Sequence, residues 1–279
     1  MGGRGGWWAG GVSASPNVPV GSRVYEYLER LEVEGLIKTA LLSTKPISRT
    51  EGARLTSEAE SRFDALPEQL KARKGRARAD IQSLRKEFSQ ELTRGAPAFS
   101  IKPAEGLYLK YIYGSKKPVF ANVNNNGDEL REGANLRLGA ASVVKISDWA
   151  SFYINPEFRL NDDKPSGELI HGYMTFNLAG VELELGRDSM WWGQGYHGDL
   201  LVTNNAAPFD MIKVSSARSF LLPWKLKYLG LFKPTFFLTH LEKERDFPRA
   251  SLLGMRLDFK PTSRFQIALN RVFLFGGEG

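Results

Sequence analysis

The sequence predicts an N-terminal α-helical bundle followed by an antiparallel transmembrane β-barrel, of which about nine strands are present. Near Gly106 the spacing of apolar residues changes from a helical period to a period of two. The strands that follow are roughly ten residues long, with one apolar face and one polar, often charged, face. A soluble sandwich shows the same alternation of side chains. The connections between the strands favour the barrel over the sandwich, because they alternate strictly between long and short.

The composition narrows the classes of function. The chain of 279 residues contains no cysteine, which excludes disulfides, thiolate metal sites and a cysteine nucleophile. Its histidines, His171, His197 and His240, lack the spacing of metal ligands, so neither a metal nor another cofactor is expected. No apolar window is long enough to predict a membrane-spanning helix. The formal net charge of +7 suits an acidic polymer as partner, and we expect no nucleic acid partner.

Residues 1–14 are interpreted as the remnant of a leader or as a disordered segment. Val12-Ser13-Ala14 followed by Ser15 resembles the small-residue site that signal peptidase cleaves. The residues before this site contain no apolar run, which indicates a miscalled or truncated start of a once-secreted chain. A disordered glycine-rich tail is the alternative.

Residues 15–98 are predicted to form a helical region. Ser22 can cap a first helix that ends near Gly35, and its apolar face comprises Val24, Leu28 and Leu31. The sequence SRTE from Ser48 to Glu51 is a capping box, in which serine and glutamate each satisfy a free backbone N–H of a second helix.

A third helix is expected to begin at Pro67 and to stop before Gly95 and Pro97. Within it, Lys71–Arg78 is strongly basic. Such a run is usually a solvated helix face, and contact with acidic polysaccharide or lipid is the alternative.

Residues 99–279 are predicted to form the barrel. The strands lie near 106–114, 133–147, 149–160, 168–178, 180–188, 212–221, 227–241, 250–260 and 263–274. The long connections are 115–132, 161–167, 189–211 and 242–249. In outer-membrane barrels the long loops face outward and the short turns face the periplasm. Because the helical region joins the first strand at the short-turn end, we expect it on the periplasmic side.

The odd number of strands indicates that this barrel is incomplete. A bacterial single-chain barrel needs an even number of strands and a closed ladder, because an open edge in lipid leaves backbone groups unpaired. We therefore expect the sequence to be truncated at its C-terminus.

One connection has an unusual composition. The stretch WWGQGYHGDLLVTNNAAPF, Trp191–Phe209, combines aromatic rings, glycines and amides between two predicted strands. Aromatic rings stack on the apolar faces of sugars, while amides and carboxylates hydrogen-bond to sugar hydroxyls. The candidate polysaccharide-binding residues are Trp191, Trp192, Tyr196, His197, Asp199, Asn204 and Asn205.

Three stretches together resemble the capsule assembly protein Wzi family. They are SPNVPVGSRVYEYLERLEVEGLI, KPISRTEGARL and GRDSMWWGQGYHGDLLVTNNAAPFDMIKVSS, in this order. The resemblance covers most of the chain from about Ser15, and the family barrel continues beyond Gly279. The sequence departs from the family in lacking a signal peptide and the later strands, and in having Thr203 where serine is expected.

This resemblance implies a lectin of the bacterial outer membrane that holds exported polysaccharide at the cell surface. The implied partners are an acidic capsular or extracellular polysaccharide and outer-membrane lipid, and the polysaccharide export machinery is a further candidate. The family is not described as catalytic, so we do not expect an enzyme.

Several alternatives stay open at this point. Tryptophan and tyrosine also form the interface girdles of barrels, and loops rich in glycine and asparagine often fold inward as plugs, so Trp191–Phe209 could be structural. A second loop, Ser115–Gly133, carries Lys116, Lys117 and Arg131, which could contact acidic sugars but would more often be solvated.

Two other classes of function also compete with the lectin. Glu182 and Glu184 share one strand face, as the two carboxylates of a glycosidase would, but charged residues are ordinary on the polar face of a barrel. A porin-like channel without specific glycan binding is the main alternative, because the polar inner face would allow it.

Overall fold

A computed structural model describes residues 13–93, 97, 99–115, 124–161, 164–241 and 248–277. It consists of a helical region followed by one large antiparallel sheet. The predicted leader, apart from its last two residues, lies outside these described residues, and so do Lys116 and Lys117 of the second loop.

The helical region contains five helices: α1 (Val24–Val33), α2 (Arg49–Asp64), α3 (Glu68–Arg73), α4 (Gly75–Glu87) and α5 (Ser89–Leu92). The cap predicted for the second helix is present, since the Ser48 side chain accepts a hydrogen bond from the backbone N–H of Glu51. The Glu51 carboxylate binds Arg54. Arg23 occupies the N-cap position of α1, and the Ser22 hydroxyl accepts from the Val24 N–H at 3.3 Å, close to the predicted start. Among the described residues, no helix has both the length and the apolar character needed to cross a membrane.

The single helix predicted after Pro67 is instead three segments, α3 to α5. The chain leaves helical geometry at Lys74, where φ is −105° and ψ is 43°, and again at Phe88. Phe88 breaks the helix because its ring is drawn into the core against α2, where a Cβ on Gly52 would lie 2.3 Å from it. The basic run Lys71–Arg78 is mainly exposed, as expected for a solvated face.

The sheet contains nine long strands, as predicted: β1 (Ser100–Gly114), β2 (Gly133–Lys145), β3 (Ala150–Asn161), β4 (Lys164–Leu178), β5 (Val181–Asp188), β6 (Phe209–Ser216), β7 (Leu231–His240), β8 (Ser251–Thr262) and β9 (Phe265–Phe275). Each strand pairs antiparallel with the next strand in this series. The two-residue strand Phe220–Leu221 pairs with β7. Over the described residues the sheet stays open, with β1 and β9 at its edges.

The two faces of the sheet are opposite in character. One face carries buried charged residues, which include Arg137, Glu157, Glu184, Lys213, Lys233, Arg256, Asp258 and Lys260. The other face carries exposed apolar residues, which include Leu107, Leu109, Leu138, Phe158, Leu185, Ile212, Leu238, Ile267 and Leu269. A soluble sheet buries its apolar face. This sheet does the reverse, as the alternation along its strands predicts for a barrel.

Two segments of the helical region lie on the charged, inner face. The Asn17 amide donates to Glu184 Oε2 at 2.6 Å and to Asp188 Oδ2 at 2.8 Å, while Lys213 Nζ lies 2.6 Å from the same Glu184 oxygen. Asn17 N–H also donates to the Tyr173 hydroxyl, so residues 13–17 are tied to strands β4 and β5. The second segment, around Ser43–Lys45, is tied to β8 and to the loop that follows β5.

Candidate functional site

The loop from Ser189 to Pro208, here called the tryptophan loop, folds inward over the polar face of the sheet. Trp191 and Trp192 form a two-residue strand that pairs antiparallel with Thr44–Lys45. The backbone N–H of Trp192 donates to the backbone carbonyl of Val202 at 3.0 Å, which joins the two ends of the loop. The loop predicted as an outward connection thus lies against the segment between α1 and α2.

The Thr44–Lys45 segment is itself fixed by charge. Thr44 Oγ1 donates to Asp258 Oδ2 at 2.5 Å, and Ser43 Oγ donates to Asp258 Oδ1 at 3.2 Å. Arg256, which is 1% exposed, pairs with Asp258 at 2.9 Å and donates to Ser43 Oγ at 2.7 Å. Because buried charges are stable only when paired, this cluster holds the strand on which the tryptophan loop rests.

The two tryptophan rings are buried rather than presented to solvent. Trp192 is 1% exposed and packs edge-on against Phe237, with ring centroids 5.1 Å apart. It belongs to a small apolar cluster that also includes Met190, Val202 and Met211. Trp191 is 4% exposed. Their rings therefore support the loop, the structural role that the sequence left open, and neither ring is free to stack on a sugar at the surface.

Tyr196, His197 and Asp199 lie at the outer part of the tryptophan loop. Tyr196 is 69% exposed, and its ring meets the His197 ring edge-on at 5.1 Å. The Tyr196 hydroxyl donates to Glu26 of α1 at 3.3 Å. The Asp199 carboxylate folds back over Gly193, where a Cβ would lie 1.0 Å from Asp199 Oδ2, so a side chain at position 193 would displace this carboxylate.

Asn204 and Asn205 join the tryptophan loop to the second candidate loop. The Asn204 side chain donates to Asn124 O at 2.8 Å, and Asn204 O accepts from the Asn126 N–H at 2.7 Å. The Asn205 side chain accepts from the Asn124 N–H at 3.1 Å, and Asn124 donates to His197 O at 3.0 Å. The two loops, which the sequence suggested separately, therefore form one unit.

A cavity of about 180 Å³ lies between this unit and α1. Trp191, Tyr196 and Asn204 from the tryptophan loop line it, together with Asn124. Three buried polar atoms on these residues have no hydrogen-bond partner within the described residues: Trp191 Nε1, Asn124 Oδ1 and Asn204 Oδ1. Buried polar groups are nearly always paired, so these three unpaired atoms distinguish the lining residues on which they lie.

The far wall of the cavity comes from the helical region. Tyr25, Glu26, Glu29 and Lys45 line it. The Tyr25 hydroxyl donates to Val18 O at 2.8 Å and accepts from the Ile47 N–H at 3.1 Å. Burial raises the pKa of the Tyr25 phenol, so this side chain stays neutral.

The contribution of the helical region to this cavity was not predicted from the sequence. The sequence pattern placed the helical region on the periplasmic side, which stays a prediction, and it did not predict that α1 contacts the tryptophan loop. Pairing between residues 44–45 and 191–192 has no local sequence signal. The periodicity of α1 predicted an apolar face, which indicated that this helix packs against another part of the protein but not against which part.

A larger cavity of about 610 Å³ adjoins the first one. Gly195 and Tyr196 line both cavities, and α1 and the β8–β9 turn complete the larger one. Four cations and three carboxylates line it. Two of the cations are paired: Lys45 lies 3.0 Å from Glu29, and Lys260 pairs with Glu32. Its charge is therefore mixed rather than strongly basic.

The carboxylate pair considered for glycoside hydrolysis is enclosed. Glu184 is 0% exposed and is paired with Lys213 and Asn17, and Glu182 is 9% exposed. A glycan would have to displace the Asn17 segment to reach them. In the described parts of the chain, no group of three histidine, aspartate or glutamate side chains is placed to hold a metal ion.

Comparison with known proteins identifies related chains. The family model described as capsule assembly protein Wzi matches residues 115–279. A Klebsiella pneumoniae relative, an uncharacterized 55.8 kDa protein in the cps region, is 24% identical over 133 residues, which are 44% of this chain and 26% of the relative. A solved structure of Escherichia coli Wzi, titled as an outer membrane protein involved in group 1 capsule assembly and a carbohydrate-binding β-barrel, matches with a TM-score of 0.68. That match has 18% identity and covers 95% of this chain and 54% of the Escherichia coli chain. The chain thus spans about half the length of the solved structure and about a quarter of the curated relative.

Proposed function

This chain belongs to the capsule assembly protein Wzi family, and we propose that it is part of an outer-membrane β-barrel lectin. Its role is to bind exported capsular or extracellular polysaccharide and to anchor that polymer at the bacterial cell surface. The fold agrees with this proposal, because it follows the fold of a carbohydrate-binding barrel over nearly its whole length.

The outer face of the sheet supports a lipid environment. Its aliphatic band lies between two groups of exposed aromatic residues, one at each end of the strands. Tyr111 and Tyr113 lie at the long-loop end, whereas Trp149 lies at the short-turn end, stacked on Phe176 with ring centroids 6.0 Å apart. Aromatic girdles on both sides of an apolar band are typical of barrels in the outer membrane.

The small cavity carries the proposal of glycan binding. Trp191 Nε1 can donate to a sugar hydroxyl, and Asn124 and Asn204 can accept from one. The exposed ring of Tyr196 at the rim can stack on a sugar face. In this arrangement Trp191 acts through its indole N–H, while Trp192 acts by holding the loop.

The filled inner face supports a lectin more than a porin-like channel. Asn17, Ser43 and Thr44 bind side chains of the inner face directly, and the tryptophan loop covers part of the same surface. An open pore would need this space. A planar-bilayer recording is therefore expected to show no stable ion conductance, and a steady channel current would favour the porin.

The glycan site can be tested with one matched pair of variants. Trp191→Phe removes the unpaired indole N–H of a residue that lines the cavity but keeps an aromatic ring. We expect it to weaken capsule polysaccharide binding by about two- to tenfold, the contribution of one hydrogen bond. Trp192→Phe removes an equally buried indole N–H that is not part of the cavity, and binding should be unchanged. Isothermal titration calorimetry with purified acidic and neutral polysaccharides measures both affinities.

The outcomes separate the site from the function. Equal affinities for the Trp191→Phe and Trp192→Phe proteins would remove the cavity as the binding site. If the unmodified protein binds neither the acidic nor the neutral polysaccharide, the proposed lectin function itself is wrong.

A further inference from the structure

The connection between β6 and β7 contains a short helix whose side chains are all exposed. This helix, a 3₁₀ helix at Trp224–Leu229 with the sequence WKLKYL, buries none of its residues. Trp224 is 89% exposed and Tyr228 is 77% exposed. Trp224 also has a backbone φ of 57°, a conformation that bulky residues rarely adopt. Large aromatic side chains held outward in this way indicate a binding surface.

The six side chains of the WKLKYL helix form three ridges, because residues three apart are eclipsed in a 3₁₀ helix. One ridge is apolar and consists of Leu226 and Leu229, which are 51% and 41% exposed. By this spacing, the ridges on either side each combine one aromatic residue with one lysine: Trp224 with Lys227, and Tyr228 with Lys225. Lys227 Nζ also lies over the Tyr228 ring, 5.5 Å from its centroid. An apolar ridge between amphipathic aromatic and cationic ridges is suited to a boundary between hydrocarbon and phosphate groups.

The WKLKYL helix lies at the short-turn end of the sheet and continues its apolar outer face. Just before the helix, Phe220 packs edge-on against Phe232 at 5.5 Å, and Phe232 in turn lies 5.0 Å from Phe259. Just after it, Gly230 has a φ of 77°, and a Cβ there would lie 1.8 Å from Lys260 O. The helix is therefore held against the end of β8, at the same end of the sheet as Trp149.

We propose that the WKLKYL helix lies in the headgroup region of the membrane leaflet at the short-turn end, where Lys225 and Lys227 bind phospholipid phosphate groups. This inference rests on the proposed barrel. Its occupant is a phospholipid because the helix is continuous with the apolar face that the barrel presents to lipid, and because its lysines complement anionic phosphate. A second copy of the chain or a protein partner would not require lysines beside both aromatic residues.

The depth of the helix can be measured by tryptophan fluorescence with the full chain in bilayers. Lipids brominated close to the headgroup, or near the end of the acyl chain, quench tryptophans at the corresponding depth. The signal of Trp224 is obtained as the difference between the unmodified protein and Trp224→Phe, and that of Trp149 in the same way. We expect headgroup-proximal bromine to quench Trp224 more strongly than chain-end bromine does.

The role of the lysines can be measured in parallel. Binding of phosphatidylglycerol relative to phosphatidylcholine is expected to fall roughly thirtyfold in the Lys225→Ala/Lys227→Ala protein, since each interfacial lysine contributes about 1 kcal/mol. The control Arg76→Ala/Lys86→Ala removes two exposed cations from the helical region and should leave this ratio unchanged.

The results distinguish the inference from the barrel on which it rests. If Trp149 is quenched but Trp224 is not, the barrel is in lipid and the helix is a surface for another partner. If the anionic preference is the same in the double lysine variant and its control, phosphate binding is wrong. If neither tryptophan is quenched, the membrane barrel fails as well.

Discussion

The helical region and the sheet of this protein place apolar and charged residues in opposite ways. The helical region hides Leu28, Leu31, Leu55, Leu84 and Phe88 and leaves most of its charged residues partly or fully exposed. The sheet hides its charged residues and exposes its leucines and aromatic rings. Two regions of one chain thus use the same residue types in opposite arrangements. Average hydropathy cannot show this difference, whereas the period of the pattern and the lengths of the connections can.

Removing one charge from the inner face of the sheet should have the largest effect. Asp258→Ala leaves the buried Arg256 without its partner and removes the acceptor of Ser43 and Thr44. We expect a loss of about 3–5 kcal/mol in the free energy of unfolding, because the remaining charge stays buried and unpaired. Denaturant unfolding in detergent micelles measures the loss, with the exposed Asp64→Ala as control. Equal stabilities of the two variants would show that the buried charges do not hold the Ser43–Lys45 segment on the sheet.

A smaller effect is expected from overfilling the apolar interior of the helical region. Gly52→Ala would normally favour a helix, but here the new methyl group would lie 2.3 Å from the Phe88 ring. We expect a loss of about 1–3 kcal/mol from this overpacking, measured by thermal unfolding of the helical signal in circular dichroism. Combining Gly52→Ala with Phe88→Leu should recover part of the loss, and no recovery would contradict this packing.

The smallest effect concerns a carboxylate on the helical surface. Burial acts to raise the pKa of Glu58, but hydrogen bonds from Thr39 and the Lys38 N–H, with the charges of Arg54 and Arg62, lower it overall from 4.5. A carboxylate with a lowered pKa in the folded state stabilises the fold above its unfolded pKa. This contribution is lost as the pH falls below about 4.5. Glu58→Gln should therefore be less stable than the unmodified protein at pH 7, and the difference should shrink at pH 3. A difference that is constant with pH would show that this ionisation does not stabilise the fold.

Most of the fold could be predicted from the sequence. The period of two located all nine long strands and indicated that each has one apolar and one polar face. The Ser48 cap was also correct. These features are local, since each depends on residues close together in the chain. The break of the third helix at Phe88 was missed, because its cause is a contact with Gly52 on another helix.

Less of the candidate site could be predicted. The composition of Trp191–Phe209 identified the loop, but not that Trp191 and Trp192 turn inward to pair with Thr44–Lys45. Nor did it indicate that Glu26 of α1 meets Tyr196. These contacts join residues about 150 positions apart, and no periodicity encodes them. Residue types therefore predicted the chemistry of the loop, while only the structure separates supporting side chains from those that line the cavity.

The central claim is that the apolar face of the sheet contacts lipid, and spin-label accessibility tests it most directly. The chain has no cysteine, so Leu109→Cys, Leu138→Cys and Leu269→Cys each give one labelling site on the exposed outer face. In bilayers, these labels should collide more with oxygen, which concentrates in hydrocarbon, than with a water-soluble nickel complex. A label at Arg76→Cys in the helical region should show the opposite preference. If the three outer-face labels behave like the label at position 76, the sheet faces water and the account of a membrane barrel is wrong.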